Sequence, residues 1–194
     1  MARFRRTGQP LTSPSPPPAA NDDRRGRPDP DGLRLIRHRP GALGLQLGLG
    51  PGGIPLGALG QLKRLLDEDS FWAQGRSHRQ LRRMLSGSDA VVTAWGARPG
   101  GQGRAMELVG FGRATSDGLF RAVLWDVVVA GSHRGQGIGR RVVRALLEAP
   151  ALAQTERVYL MTTRGQKFYR QLGFRDVGSQ NLLMLDQDST DSSG

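Results

Sequence analysis

Apolar residues recur at helical spacing in three stretches of this chain. Leu59, Leu62, Leu65 and Leu66 fall on one face of a helix starting near Leu56. Leu81, Met84 and Leu85 mark a second helix, with Ser77 placed to cap its first turn. The third runs from near Gly137 to about Glu148. Ile138, Val142, Val143, Leu146 and Leu147 form its stripe, Arg140, Arg141 and Arg144 take other faces, and Pro150 stops it. Between the second and third helices lie strand-like runs at residues 90–95, 106–114 and 120–130. Turn chemistry separates them at Pro99-Gly100-Gly101-Gln102-Gly103 and Thr115-Ser116-Asp117-Gly118, which predicts an antiparallel meander. Residues 158–161 read as a short strand, residues 166–172 as a short helix ended by Gly173, and residues 182–185 as a last strand. The order is two helices, three strands, helix, strand, helix, strand. That predicts an α+β fold with a mixed, mostly antiparallel central sheet flanked by helices, rather than alternating βαβ units.

The N-terminal part is different. Residues 1–31 are rich in Pro, Arg, Ser and Asp and cannot bury enough surface to offset ordering entropy. Residues 1–40 are therefore assigned to a disordered Pro/Arg-rich tail, residues 41–188 to one folded domain, and residues 189–194 to a flexible C-terminus. An edge strand near residues 33–37 is compatible with the pattern. Residues 41–60 alternate Gly with Leu, and glycine weakens helix and strand alike.

Composition removes several function classes. The chain has no cysteine, which excludes disulfides, thiolate metal ligands and a cysteine nucleophile. His38, His78 and His133 show no metal-ligand spacing, so no bound metal is expected. A run of about 18 apolar residues, as a membrane span needs, is missing. The net charge is +11, and of 28 basic residues only Lys63 and Lys167 are lysines. Nucleic acid is not the expected partner, since no basic face interleaved with aromatics and no binding motif occurs in the folded part. The tail carries no acid before Asp22 but lacks the apolar core of a secretory signal. A cytoplasmic protein is the expectation, or a plastid stromal one if the tail is a transit peptide.

The most informative stretch is Val127-Val128-Val129-Ala130-Gly131-Ser132-His133-Arg134-Gly135-Gln136-Gly137-Ile138-Gly139-Arg140. A β-branched strand enters a glycine-rich loop that opens directly into an amphipathic helix. Unpaired N–H groups and the macrodipole at a helix start favour an anion. Glycines admit a bulky diphosphate, and Arg134 and Arg140 can add charge-assisted hydrogen bonds. A nucleotide P-loop would need Gly-Lys-Ser/Thr, which is missing. A dinucleotide fingerprint would need a third glycine where Arg140 stands, and alternating βαβ units before it.

Arg134-Gly135-Gln136-Gly137-Ile138-Gly139 resembles the Arg/Gln-x-x-Gly-x-Gly/Ala signature of the GNAT N-acetyltransferase superfamily. Phe168-Tyr169-Arg170-Gln171-Leu172-Gly173-Phe174 looks like that family's second cofactor segment. The resemblance covers roughly residues 56–185. Phe111-Gly112-Arg113-Ala114-Thr115-Ser116-Asp117, Leu124-Trp125-Asp126-Val127-Val128-Val129 and Val91-Val92-Thr93-Ala94-Trp95 resemble the plastid and cyanobacterial branch that includes serotonin N-acetyltransferases and protein-acetylating relatives. Tyr159-Leu160-Met161-Thr162-Thr163-Arg164 departs from that branch, where a Phe-Ala-Asp-type run is common, so substrate preference can differ.

The resemblance implies acetyl-CoA as co-substrate and direct transfer to a primary amine, on a small molecule or a protein lysine. It also implies a sheet splayed at the cofactor strand. Val127, Val128 and Val129 would pair with the pantetheine amides, and Arg134, Gly135, Gln136, Gly137, Ile138, Gly139 and Arg140 would hold the diphosphate. Tyr169 stands where the family places its general acid; the alternative is a core aromatic. For the amine proton, Asp126, Glu107 and Asp117 are candidates, Asp126 first, as base or as a group orienting substrate; water could also serve. Trp95 and Trp125 are candidates for an aromatic pocket or for the core, and His133 reads as a turn residue. A non-catalytic CoA-binding or interaction module is the competing reading. Oligomeric state is open, and a homodimer is compatible with the sequence.

Overall fold

The computed structural model describes residues 32–97 and 106–185. The expected turn at residues 99–103, most of the tail and the extreme C-terminus lie outside the described residues. Among the described residues the sheet has five strands in the order β1-β2-β3-β4-β5: β1 Arg34–His38, β2 Ala90–Ala97, β3 Met106–Ser116, β4 Arg121–Val129 and β5 Arg157–Leu160. The first three pairings are antiparallel, and β4 pairs β5 in parallel. Edge strand β1 falls inside residues 1–40, so the sheet begins within the segment assigned to the tail.

Among the described residues five helices flank the sheet: α1 Leu43–Gln46, α2 Ala58–Asp69, α3 His78–Ser86, α4 Ile138–Leu147 and α5 Gln166–Arg170. The Gly/Leu alternation resolves into the single turn α1 and a 3-10 turn at Pro51–Gly53. Ser77 caps α3 as expected, in a reciprocal capping box with Gln80. The strand expected at residues 182–185 does not form. Leu182, Leu183, Met184 and Leu185 are exposed, and β5 is the last strand of the described sheet, so this apolar run has no ladder to join.

Strand alternation sorts β2 and β3 between two cores. Val92, Ala94 and Val109 face α4, where Ile138, Val142, Val143 and Leu146 pack. Val91, Trp95, Leu108 and Phe111 face α2 and α3, against Leu59, Leu62, Leu66, Leu81 and Leu85. Close approach of α4 explains the glycines of β3. A Cβ at Gly112 would stand 2.8 Å from Val142 Cγ1 and 3.0 Å from Leu146 Cδ1. Val142 is stiff in a helix and cannot swing aside. Gly112→Ala is therefore expected to cost about 1–3 kcal/mol, read as a lower urea midpoint.

His38 extends this logic to pH. Its Nε2 lies 2.8 Å from Thr93 Oγ1, and Trp95 Nε1 donates to the same hydroxyl at 2.8 Å. With one proton and two lone pairs, the Thr93 hydroxyl can accept from the indole and still bond a neutral imidazole in either tautomer. Burial lowers the His38 pKa from 6.5 to about 4. Between those values the unfolded chain takes up a proton that the folded chain refuses, so stability falls as pH drops. Denaturant midpoints measured from pH 7 to pH 4 should show this decline, and His38→Gln should flatten it.

Candidate active site

The site forms where β4 outruns its parallel neighbour. Pairing with β5 stops at Leu124 and Leu160, while β4 continues to Val129. On its other side β4 stays paired with β3 through Val129, with one extra residue inserted opposite Gly112. That bulge carries Asp126 at φ 50, a left-handed conformation that Asp tolerates better than most residues. Beyond it, Ala130 N–H donates to Val109 O, toward β3. By strand alternation the main-chain groups of Val127 and Val129 turn to the open edge, and those of Val128 turn to β3. The side chain of Val128 is buried against α2 and α3.

The open edge leads straight to the start of α4. Gly135 and Gly137 adopt φ 79 and φ 78, and a Cβ on either would meet nothing within 4 Å. Gly137 is the N-cap residue and offers no side-chain cap. The first amide to find a carbonyl behind it is Arg141 N, on Gly137 O at 3.2 Å. The amides of Ile138, Gly139 and Arg140 therefore begin the helix without intrahelical acceptors. Their N–H groups and the macrodipole make this a place for an anion. Arg140 Nη2 reaches Gln171 Oε1 at 3.5 Å, beside α5.

Helix α5 closes the third side. A Cβ on Gly139 would touch Phe168 Cζ at 3.4 Å and Val129 Cγ2 at 3.5 Å, so the end of β4, the start of α4 and α5 meet at one point. Tyr169, the next residue, packs edge-on between Phe168 and Phe174, with ring centroids 4.9 and 5.8 Å away. Burial pushes its phenol pKa up, so the hydroxyl keeps its proton at neutral pH.

Residues 60–174 match the model of the acetyltransferase (GNAT) family. The chain belongs to that family. It is 38% identical over 100 residues to serotonin N-acetyltransferase 2, chloroplastic, of Oryza sativa, covering 51% of this chain and 48% of that protein. It is 33% identical over 110 residues to the probable acetyltransferase TAP2 of Glycine max, covering 55% of this chain and 44% of that protein. The chain thus spans about half the length of the curated relatives it matches. Among solved structures, a putative acetyltransferase from Deinococcus radiodurans superposes with TM-score 0.56 at 21% identity, covering 81% of this chain and 90% of that one, a likeness of fold.

In this GNAT domain the face of the sheet under α2 and α3 carries a charged network. Asp126 accepts from Arg113 Nε at 2.7 Å and from Arg76 Nη1 at 3.1 Å, and only 4% of its side chain is exposed. Burial opposes its charge, but Arg113 and then Arg76 outweigh burial and hold its pKa below the ordinary value. Trp125 stacks under the Arg113 guanidinium at 5.6 Å and donates its indole N–H to Thr115 Oγ1 at 2.8 Å. Trp95 is fully buried and belongs to the core. Asp117 Oδ1 ties the β3–β4 turn by accepting from the amides of Leu119, Phe120 and Arg121, at the end of β4 remote from Val129. Glu107 lines a groove of about 270 Å³ with Gln61, Arg64 and Met106, between α2 and the start of β3. His133 shares a hydrogen bond with Ser132 Oγ at 2.9 Å in the exposed turn before the loop. Among the described residues, no helix is long and apolar enough to cross a membrane.

Three residues that the structure brings against the candidate site residues were not named as site candidates from the sequence: Asp69, Arg76 and Arg113. Asp69 Oδ1 accepts from Gly131 N–H at 2.8 Å and from Arg134 Nη2 at 2.9 Å. One signal was available in the sequence. Asp67-Glu68-Asp69 ends α2 with three acids and no base in the last turn, against the helix dipole, so those acids favour partners outside that turn. Asp67 finds Lys63 and the Gly75 amide, and Asp69 finds the glycine-rich loop.

Proposed function

We propose that this chain transfers an acetyl group from acetyl-CoA to a primary amine, either an arylalkylamine or a protein lysine, with both substrates bound together. The observation that carries the reading is the open edge of β4 running into the uncapped start of α4. CoA has the matching shape, an amide-bearing arm followed by a diphosphate. Val127 and Val129 would pair with the arm, with Val128 holding the strand to β3. Gly135, Gln136, Gly137, Ile138 and Gly139 would receive the diphosphate, with Arg134 and Arg140 adding charge. The residues present fit that group, since the loop glycines leave open space and the helix-start amides lack acceptors behind them. Bound acetyl-CoA would supply the acetyl group already activated as a thioester.

The chain's own contribution is positioning and one proton. Holding amine and thioester side by side supplies much of the rate. Tyr169, protonated and next in α5 to the Phe168 that meets the start of α4, would donate its phenolic proton to the departing sulfur. Asp126, paired with two arginines, is suited to orienting the acceptor side rather than to taking a proton, which leaves water for that task. The name of the rice relative supports an aromatic amine as acceptor. A plastid location draws the same support, against a cytoplasmic one.

Calorimetry with acetyl-CoA, followed by thiol release with arylalkylamines, polyamines and lysine peptides, tests the reading. Binding with turnover on an amine is expected. Binding with no turnover on any of them would make the chain a CoA-binding module, and no binding at millimolar acetyl-CoA would end both readings.

A further inference from the structure

Arg134 does not reach toward the helix start. Its Nε donates to Val129 O at 3.2 Å, and its Nη2 pairs with Asp69 Oδ1 at 2.9 Å and approaches Asp69 O at 3.4 Å. Val129 O belongs to the open edge of β4, where strand alternation leaves it without a neighbouring strand. The guanidinium thus caps the carbonyl that an incoming amide would use. Asp69 is only 15% exposed at its side chain and anchors the preceding turn through Gly131 N–H at 2.8 Å, while the Arg134 side chain is 60% exposed. A sheltered carboxylate and an exposed cation are the parts of a latch.

From this geometry we infer that Asp69 is a positioning residue for cofactor entry. It parks Arg134 across the free edge of β4 until a diphosphate draws the guanidinium to the start of α4. The inference rests on the CoA reading of this site. It adds a residue outside the glycine-rich signature and an exchange of partners: Arg134 gives up Asp69 and Val129 O for the diphosphate, and Val129 O becomes available to the pantetheine arm. Asp69 keeps Gly131 throughout, so the turn stays in place while the arginine moves. The carboxylate competes with the ligand for the same cation. Removing its charge while keeping its shape should therefore favour the ligand.

The test is a cycle of CoA dissociation constants by calorimetry for the wild-type chain, Asp69→Asn, Arg134→Gln and the double variant. Asparagine retains an oxygen for the Gly131 amide and loses the ion pair. CoA should bind about two- to fivefold more tightly to Asp69→Asn, the scale of an exposed ion pair, and the gain should vanish when Arg134 is already glutamine. Equal effects of Asp69→Asn with and without Arg134, or weaker binding in both, would overturn the latch and leave Asp69 as an anchor of the turn. A measurement on the wild-type chain does not depend on the variants folding. The Arg134 Nε–H resonance should move on titration with inorganic diphosphate while the Gly131 amide stays, and an unmoved arginine signal at saturating CoA would also overturn the proposal. Failure of wild-type chain to bind CoA at all is a distinct result, which sinks the functional reading itself.

Discussion

Replacing Tyr169 by phenylalanine is expected to lower kcat by about 10²–10⁴-fold while CoA affinity changes by less than about twofold. The ring holds its place through Phe168 and Phe174, and Gly165 lies so near that a Cβ there would stand 3.0 Å from Tyr169 Cε2, so packing survives loss of one oxygen. The hydroxyl donates to none of the described residues, so its loss breaks no hydrogen bond among them. Thermal stability should therefore stay close to that of the parent chain. Steady-state kinetics beside calorimetry separates the two quantities. An unchanged kcat would return Tyr169 to the role of a core aromatic, with water as the proton source.

The second large effect concerns stability. Asp126→Asn should cost up to about 3–5 kcal/mol, because it leaves Arg113 and the partly exposed Arg76 facing each other over a neutral group. Asparagine tolerates the left-handed conformation at φ 50, so the loss reports charge rather than backbone strain. The cost should appear as a lower urea midpoint at neutral pH. The pH dependence follows from the lowered carboxyl pKa. The contribution of Asp126 is present above the unfolded value of 3.8 and is lost as pH falls through the lower folded value. Parent and variant should thus converge in stability toward strong acid. A variant as stable as the parent at pH 7 would show that solvent screens the network.

The two effects sit on different links of the chain from sequence to function. Tyr169 was named through the family resemblance of residues 168–174, with a core aromatic as the alternative. The pairing of Asp126 was not. The sequence placed an acid beside Val127-Val128-Val129 and left base, orientation and water open. Its partners lie 13 and 50 residues away, on β3 and in the α2–α3 loop, and no local pattern names them. The apolar run at residues 182–185 shows the same gap from the other side. A strand is made by its neighbour, and the described sheet supplies none there.

By itself the sequence determined what repeats along the chain. The apolar stripes of α2, α3 and α4, the β-branched runs of β2 to β4, the Ser77 cap and the glycine-rich loop each rest on residues a few positions apart, where backbone geometry fixes which side chains meet. Tertiary structure decided what depends on distant segments meeting. The bulge at Asp126, the parting of β4 from β5 after Leu124, and the hold of Asp69 on Gly131 across 62 residues all belong here. Those features need one segment's donors matched to another's acceptors in space, and a one-dimensional pattern carries no record of that match.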